Sequence, residues 1–247
     1  MAIQRVLMTD SRKEDVFYEE AIKTLRTNMQ FSGVETKSIV ITSCYPNEGK
    51  SDVAFQLAVE IGKMGKKVLV LDADIRKSSY IKRFQIKQKI DGLSQYLSGQ
   101  VSKEQIIYST NYRNVDIIFS GPYAPNPSEL LEQELFSKLI EEARNAYDYV
   151  LIDTPPMISM SDASIVAKQC DGAILVTKEG KVYETMPPKG KVVNSVGAGD
   201  SMVAGFTASY LKDHDYMEAL KRGTATGSAT AFSEGLATAD KVEELYK

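Results

Sequence analysis

The chain has two cysteines, Cys44 and Cys170, and one histidine, His214. Two such distant thiols make no metal-ligand spacing, and they predict a reducing, cytoplasmic setting. His214 lies in the polar run Lys212-Asp213-His214-Asp215 and reads as a solvated turn residue, not a catalyst. Positive charge is not in excess: 30 Lys and Arg stand against 33 Asp and Glu, a net charge of −3. Nothing global therefore attracts nucleic acid. No apolar run approaches the ~20 residues that span a bilayer. The opening MAIQRVLMTDSRKED has no apolar stretch of the signal-peptide kind.

What is present is an ordinary globular composition, 43% hydrophobic over 247 residues, enough for one large α/β domain or two small ones. One stretch organises it, SIVITSCYPNEGKSDVAFQLAVEIG, from Ser38 to Gly62. Ser38 to Thr42 is a β-branched apolar run and reads as a buried strand. Val53, Ala54, Leu57, Ala58 and Ile61 share one helical face. Between strand and helix stands Gly49-Lys50-Ser51. Strand, loop, GKS and helix form a nucleotide-phosphate cradle. Loop and helix N–H groups face the anion, Lys50 neutralises charge, and the Ser51 hydroxyl can ligate Mg²⁺. Cys44 stands where the full G-x-x-x-x-G-K-[ST] pattern has its first glycine. A Lys-Ser helix start on an ordinary strand–helix turn is the alternative.

Residues 1–15 read as polar and loosely ordered. A helix is predicted from Val16 to Phe31, with Phe17, Ala21, Leu25 and Met29 on one side and Glu20, Lys23 and Arg26 on its polar face. Val68 to Leu71 is a second buried strand, with Asp72 and Asp74 at its C-terminal end, where open parallel sheets place ligands. Two acids so placed can serve Mg²⁺ or take a proton from a hydroxyl; an Asp-rich turn with a helix cap is the alternative. Arg76 and Lys77 add positive charge. Helical pieces follow at 92–97 and 103–108, then a strand at Val115–Phe119. Ser128 reads as the N-cap of a helix running to about Ala146. Tyr149 to Ile152 is a strand ending at Asp153, the acid that completes a phosphate-loop site. Gly172 to Thr177 is a further strand. The alternation predicts an α/β fold, a mostly parallel sheet of five or six strands with helices on both faces.

SCYPNEGKS, VLVLDADIRKSS, SGPYAPNPSELL and YDYVLIDTPPMISMSDA together resemble the bacterial tyrosine kinases of capsule and exopolysaccharide synthesis, relatives of the MinD/ParA-type ATPases. The resemblance covers about residues 14–175. It implies ATP and Mg²⁺ as cofactors, with Pro46, Asn47, Glu48, Gly49, Lys50, Ser51 and Asp52 around the phosphates. It implies Ser51, Asp72 and Asp153 at the metal, and Asp72 or Asp74 at the tyrosine hydroxyl. The family's E-x-x-R-x-x-R helix, which makes a ring of subunits, corresponds to Glu20, Lys23 and Arg26, with Lys for the first Arg. Lys keeps the charge but loses bidentate pairing. Asn47 and Asp52 replace the family's usual Gly and Thr. Like-charge repulsion between Asp52 and phosphate at ~4–5 Å is expected to cost on the order of 1–3 kcal/mol.

From about Gly172 the chain instead resembles the C-terminal end of a ribokinase/PfkB-family sugar kinase, of the phosphofructokinase and tagatose-phosphate kinase branch. Asn194-Ser195-Val196-Gly197-Ala198-Gly199-Asp200 with Ala204-Gly205 carries the likeness, and ATGSATAFSEGLAT supports it. Gly197 and Gly199 let backbone N–H groups approach an anion at a helix start, and Asp200 can accept a sugar hydroxyl's proton. A glycine-rich helix start stabilised by Asp200 is the alternative. No Gly/Ser- or Pro-rich linker lies between Asp171 and Val182, which favours substitution inside one domain over a fusion of whole ones. The expectation is a single composite α/β domain, 1–247, with a tyrosine-kinase-like part at 1–172 and a PfkB-like part at 173–247. It reads as a recombined, engineered chimera. A hairpin near Ile174–Thr185 leads into three or four helices packed on the sheet. Three functions follow: an Mg·ATP-binding phosphoryl-transfer scaffold with weak or no catalysis, a sugar-phosphate kinase acting through Asp200, or an inactive structural chimera.

Overall fold

A computed structural model describes residues 4–12, 15–31, 36–158, 162–177, 182–183, 185, 188–194 and 196–246. The chain divides into two compact units, Met1–Lys181 and Val182–Lys247. In chain order the first unit carries β1 (Gln4–Arg5), α1 (Val16–Phe31), β2 (Ser38–Ser43), α2 (Lys50–Lys63), β3 (Val68–Asp72) and α3 (Tyr80–Arg83). It continues with α4 (Leu93–Leu97), α5 (Lys103–Ile106), β4 (Ile107–Ser109), β5 (Val115–Ile118), α6 (Pro127–Glu132), α7 (Glu134–Ala146), β6 (Tyr149–Asp153), α8 (Asp162–Ala167) and β7 (Gly172–Val176).

The strands of this unit lie in the order β1-β4-β5-β3-β6-β2-β7. Every pair is parallel except β4–β5, which is antiparallel. Helices cover both faces, so β2 and β3 are buried along their whole length and read as unbroken apolar runs. On one face Leu69, Leu71, Val150 and Ile152 join Phe136, Leu139 and Ile140 of α7 in a single cluster. The predicted face of α2 is buried at every position: Val53, Ala54, Leu57, Ala58 and Ile61. Placing β6 between β3 and β2 is the step that builds the site, because it sets Asp153 directly beside Asp72 in the strand register.

Several local expectations are corrected. The segment after the N-terminus is not loose: β1 pairs with β4, and Val6 and Met8 are buried. A three-residue alternation of apolar side chains was too short to stand out in a polar run. On α1 the buried stripe is Ile22, Leu25 and Met29, whereas Phe17 is 88% exposed and Ala21 is exposed. Leu25 and Met29 are buried as expected, and Ile22 takes the place of Ala21 in the stripe of this helix, which packs against α2. The helix expected from Ser128 to Ala146 is broken at Gln133 into α6 and α7, and α6 starts with Pro127 after Asn126. Ser128 does not cap it; its Oγ donates to Asp162. Among the described residues seven strands, more than the five or six expected, form the sheet of this unit. The hairpin expected near Ile174–Thr185 turns on residues 178–181 and 184, outside the described residues.

The second unit carries β8 (Val182–Tyr183), α9 (Ala198–Asp213), α10 (Tyr216–Ala231) and α11 (Ala239–Leu245). Glycines let α9 and α10 approach closely. A Cβ on Gly205 would fall 2.3 Å from Thr226 Oγ1, and one on Gly223 2.8 Å from the Met202 carbonyl oxygen. Asp215 caps α10 by accepting from the Glu218 N–H at 3.0 Å. His214 ends α9 with φ 52° and is exposed, a turn residue as expected.

Candidate active site

The site is built at the C-terminal edge of the central strands. After β2 the chain turns through Asn47 (φ 65°) and Gly49 (φ 93°), both in the left-handed region. Asn is among the residues that tolerate it, so the loop forms without the family's glycine at position 47. The Glu48 carboxylate folds back to accept from the Tyr45 N–H at 2.7 Å. Helix α2 then starts at Lys50, directly after the loop. Cys44, at the position of the missing first glycine, is buried, and burial together with Glu48 pushes its thiol up to about 11. It therefore packs as a neutral side chain.

Lys50 is the centre of the site. Its Nζ lies 3.5 Å from Asp74 Oδ2, 3.6 Å from Asp153 Oδ1 and 3.2 Å from Ser51 Oγ. Burial acts to lower its pKa, but Asp153, Asp74 and Asp72 outweigh it and raise the value, so the ammonium stays charged. Asp72, fully buried, is pushed up to about 7 by burial and by the neighbouring Asp153 and Asp74 carboxylates, against the opposing pull of Ser78 and Lys50. Its oxygens accept from Ser78 Oγ, from the Ser120 N–H at 3.3 Å and from the Asp74 N–H at 3.2 Å. Asp153 is raised mainly by burial, with Lys50 opposing. Neither Asp153 oxygen has a hydrogen bond of good geometry, although Ser51, Lys50 and the Tyr80 hydroxyl lie close enough to act on its charge.

That orphaned carboxylate is the test of metal fit. A buried acid without well-formed hydrogen bonds leans chiefly on charge, and Lys50 supplies it from 3.6 Å, with Ser51 assisting. The donors around it, carboxylate and hydroxyl oxygens, are the hard ligands that suit Mg²⁺. Among the described residues no group of three or more His, Cys, Asp or Glu forms a ready-made metal cage. The residues present fit the group.

The expected residues Lys50, Ser51, Asp72, Asp74 and Asp153 are brought together. Gly197, Gly199 and Asp200 belong to the second unit. There Gly197 (φ 77°) precedes α9 and Asp200 occupies its first turn, exposed. Ser195 of the same motif lies outside the described residues. Arg76, expected to add positive charge nearby, is engaged by an acid of its own: its Nε donates to Asp162 at 2.8 Å and its Nη2 to Ser128 Oγ at 3.0 Å. On α1, Lys23 pairs with Glu20 at 2.7 Å and Arg26 with Glu60 of α2 at 3.7 Å.

Two features escaped the sequence. Tyr80 is fully buried, and its hydroxyl donates to the Ser51 carbonyl at 3.1 Å. Burial, then Asp153 and Asp72, holds the phenol well above its ordinary pKa, so it is a neutral donor. A lone aromatic after RKSS carries no periodic signal, so nothing pointed to it. The second is the surroundings of Asp52. Its carboxylate pairs with Arg83 Nη2, and Arg12 Nη1 lies 3.6 Å away. Arg12 and Arg83 are far apart in sequence and carry no motif.

A left-handed loop on a buried strand, a lysine at the helix start and a strand-end aspartate beside it define a phosphate-loop α/β protein of the nucleotide-triphosphate class. The AAA-domain family model matches residues 36–185, more than half of the chain, and the pfkB family carbohydrate kinase model matches residues 158–243. The tyrosine-protein kinase CpsD of Streptococcus agalactiae serotype III is 42% identical over 173 residues, 70% of this chain and 75% of that protein. The tyrosine-protein kinase YwqD of Bacillus subtilis is 41% identical over 174 residues, 70% and 73% of the two chains. Among solved structures, the kinase domain of Escherichia coli tyrosine kinase ETK superposes with a TM-score of 0.61 at 36% identity, covering 64% of this chain and 62% of that one. The chimerical protein CapA2B2 superposes with a TM-score of 0.63 at 30% identity, covering 72% and 85%. The septum site-determining protein MinD of Pyrococcus horikoshii, at 22% identity and a TM-score of 0.52, shares the fold. The chain belongs to the bacterial tyrosine-protein kinase family.

Proposed function

We propose that the first unit binds Mg·ATP at the phosphate loop and retains the phosphoryl-transfer machinery of a tyrosine kinase, within a chain recombined with a PfkB-type end. The carrying observation is Asp153. Both its oxygens are buried and lack a hydrogen bond of good geometry, and Lys50 Nζ stands 3.6 Å away. A charged lysine shared between two acids is poised for an anionic ligand, and an unsatisfied carboxylate for a cation. Pro46 to Asp52 would surround the phosphates. Ser51, Asp72 and Asp153 would hold Mg²⁺, which neutralises phosphate charge when bound. Asp72 or Asp74 would accept the proton of the phosphoryl acceptor. Burial, and then the neighbouring Asp153 and Asp74 carboxylates, bring Asp72 into the neutral range, the range of an efficient general base.

The AAA match ends at residue 185 and the pfkB match begins at 158, so the two family descriptions overlap on the segment carrying β7. This supports a composite of a tyrosine-kinase part at 1–172 and a PfkB-like part at 173–247. It also favours a second reading, sugar-phosphate kinase activity through Asp200, which is exposed in the first turn of α9. Self-association through α1 would require Glu20 and Arg26 to leave their partners within the chain. Among the described residues no helix is long and apolar enough to cross a membrane, and a cytoplasmic location goes with this reading.

Calorimetric titration of Mg·ATP and Mg·ADP into the parent chain, Lys50→Met and Asp200→Asn tests it. Binding lost only in Lys50→Met is expected. Binding lost only in Asp200→Asn would move the site to the second unit. No binding by the parent would leave a structural chimera.

A further inference from the structure

We infer that Arg83 and Arg12 act as positioning residues that neutralise Asp52, so that the phosphate loop accepts an anionic nucleotide despite a carboxylate in the first turn of its helix. The inference rests on the Mg·ATP reading of the same loop. The problem is electrostatic. A helix N-terminus offers one region of positive potential, and Asp52, the acid in the first turn of α2, competes with phosphate for it. Uncompensated, it would repel the ligand.

The structure surrounds that acid with cations from two other segments. Arg83 closes α3 and pairs with Asp52 Oδ1; Arg12 reaches Asp52 Oδ2 at 3.6 Å. Both arginines are themselves held. Arg12 stacks over the Tyr18 ring at 4.7 Å, and Arg83 over the Phe84 ring at 4.8 Å. Asp10 lies 3.9 Å from Arg83 and is fixed by the Gln56 side-chain amide at 2.9 Å. The segment bearing Asp10 and Arg12 is tied down upstream: the Met8 N–H donates to Asn111 Oδ1 at 2.8 Å and the Thr9 N–H to the Phe84 carbonyl at 3.1 Å. Two arginines against Asp52 and Asp10 balance the formal charge of that cluster. Arg83 and Asp52 are 21% and 24% exposed, so their pairing is neither fully screened nor fully desolvated.

The test separates a role in ligand binding from one in stability alone. ADP with Mg²⁺ is titrated into the parent, Arg83→Gln, Asp52→Asn and the Asp52→Asn/Arg83→Gln pair, with Lys50→Met as the control for the reading beneath. Arg83→Gln is expected to weaken ADP about tenfold, as one unneutralised charge near a phosphate does. The double variant is expected to return to within about threefold of the parent, because the charge needing compensation is gone. Arg83→Gln binding like the parent, or a double variant as weak as Arg83→Gln, overturns the inference. If Arg83→Gln does not fold, Arg12→Gln with and without Asp52→Asn takes its place, with the same two outcomes. A parent that binds ADP, loses it in Lys50→Met and ignores Arg83→Gln refutes this inference alone. A parent that binds no ADP refutes both.

Discussion

Asp72 and Asp153 are register partners across the parallel β3–β6 pair, and both carboxylates are buried, at 0% and 1% exposure. Two acids side by side in a dry sheet edge cannot both be ionised cheaply. Lys50 offsets part of that cost from the start of α2, and the remainder appears in the raised pKa values. The free protein thus carries electrostatic strain that a cation at this edge would relieve.

Asp72 makes stability depend on pH. Its folded pKa, about 7, lies above the 3.8 of an unperturbed Asp. Between those values the folded state binds the extra proton, so this contribution is fully present below about pH 4 and is lost as pH rises through 7. Asp72→Asn is expected to stabilise the Mg²⁺-free protein at pH 8 by on the order of 1–3 kcal/mol, and by much less at pH 5. Urea denaturation at the two pH values measures the difference, and an equal effect at both would contradict it.

Asp153→Asn tests the orphaned carboxylate. Removing a buried charge that lacks a hydrogen bond of good geometry should raise the melting temperature of the ligand-free protein, while Asp74 remains as partner to Lys50. The additional stabilisation given by Mg·ADP should fall, because a ligand stabilises only in proportion to its affinity. Thermal melts with and without Mg·ADP read both effects. A variant that melts lower in the absence of ligand would show that the Lys50 pair outweighs desolvation.

Asp171 holds the start of β2. Its Oδ2 accepts from the Lys37 N–H at 2.9 Å, the Ser38 N–H at 2.8 Å and Ser38 Oγ at 2.9 Å, while Oδ1 pairs with Arg144. Asp171→Ala is expected to cost about 2–4 kcal/mol by leaving those donors without an acceptor. Asp171→Asn, which keeps the acceptor oxygen, should cost less than half as much. Denaturant midpoints would decide, and equal losses would count against the hydrogen-bond account.

In the second unit Gly227 is a packing residue. A Cβ there would stand 2.9 Å from the Ala198 carbonyl oxygen and 2.9 Å from Met202 Cβ. Backbone on one side and a side chain's first carbon on the other leave little room to yield, so Gly227→Ala should cost on the order of 1–3 kcal/mol. Hydrogen exchange should accelerate in α9 and α10 while β2, β3 and β6 keep their protection. Uniform acceleration would mean the two units unfold as one.

The central part of the fold was legible because its signals are local. Strands buried on both faces are unbroken apolar runs, so β2, β3, β6 and β7 were found within a residue or so of their ends. The lysine at the start of α2 and the acids closing β3 and β6 mark the sheet edge by position alone. Elements that depend on distant partners were not legible. β1 is two exposed residues, Gln4 and Arg5, and is a strand only because β4 lies beside it. The break at Gln133 and the diversion of Ser128 to Asp162 are likewise settled by what packs above them.

By itself the sequence determined which side chains stand at strand ends and helix starts, since hydrophobic period and turn chemistry act over a few residues. It therefore contained Lys50, Ser51, Asp72, Asp74 and Asp153 as candidates. Tertiary structure alone decided their mutual positions. Threading β6 between β3 and β2 makes Asp72 and Asp153 neighbours and raises their pKa values. It also decided the fate of Asp52, read from sequence as a source of repulsion toward phosphate and found between Arg83 and Arg12. The reason is physical: burial and Coulomb energy depend on distances in space, and residues 12, 52, 83 and 153 acquire theirs only when the sheet closes.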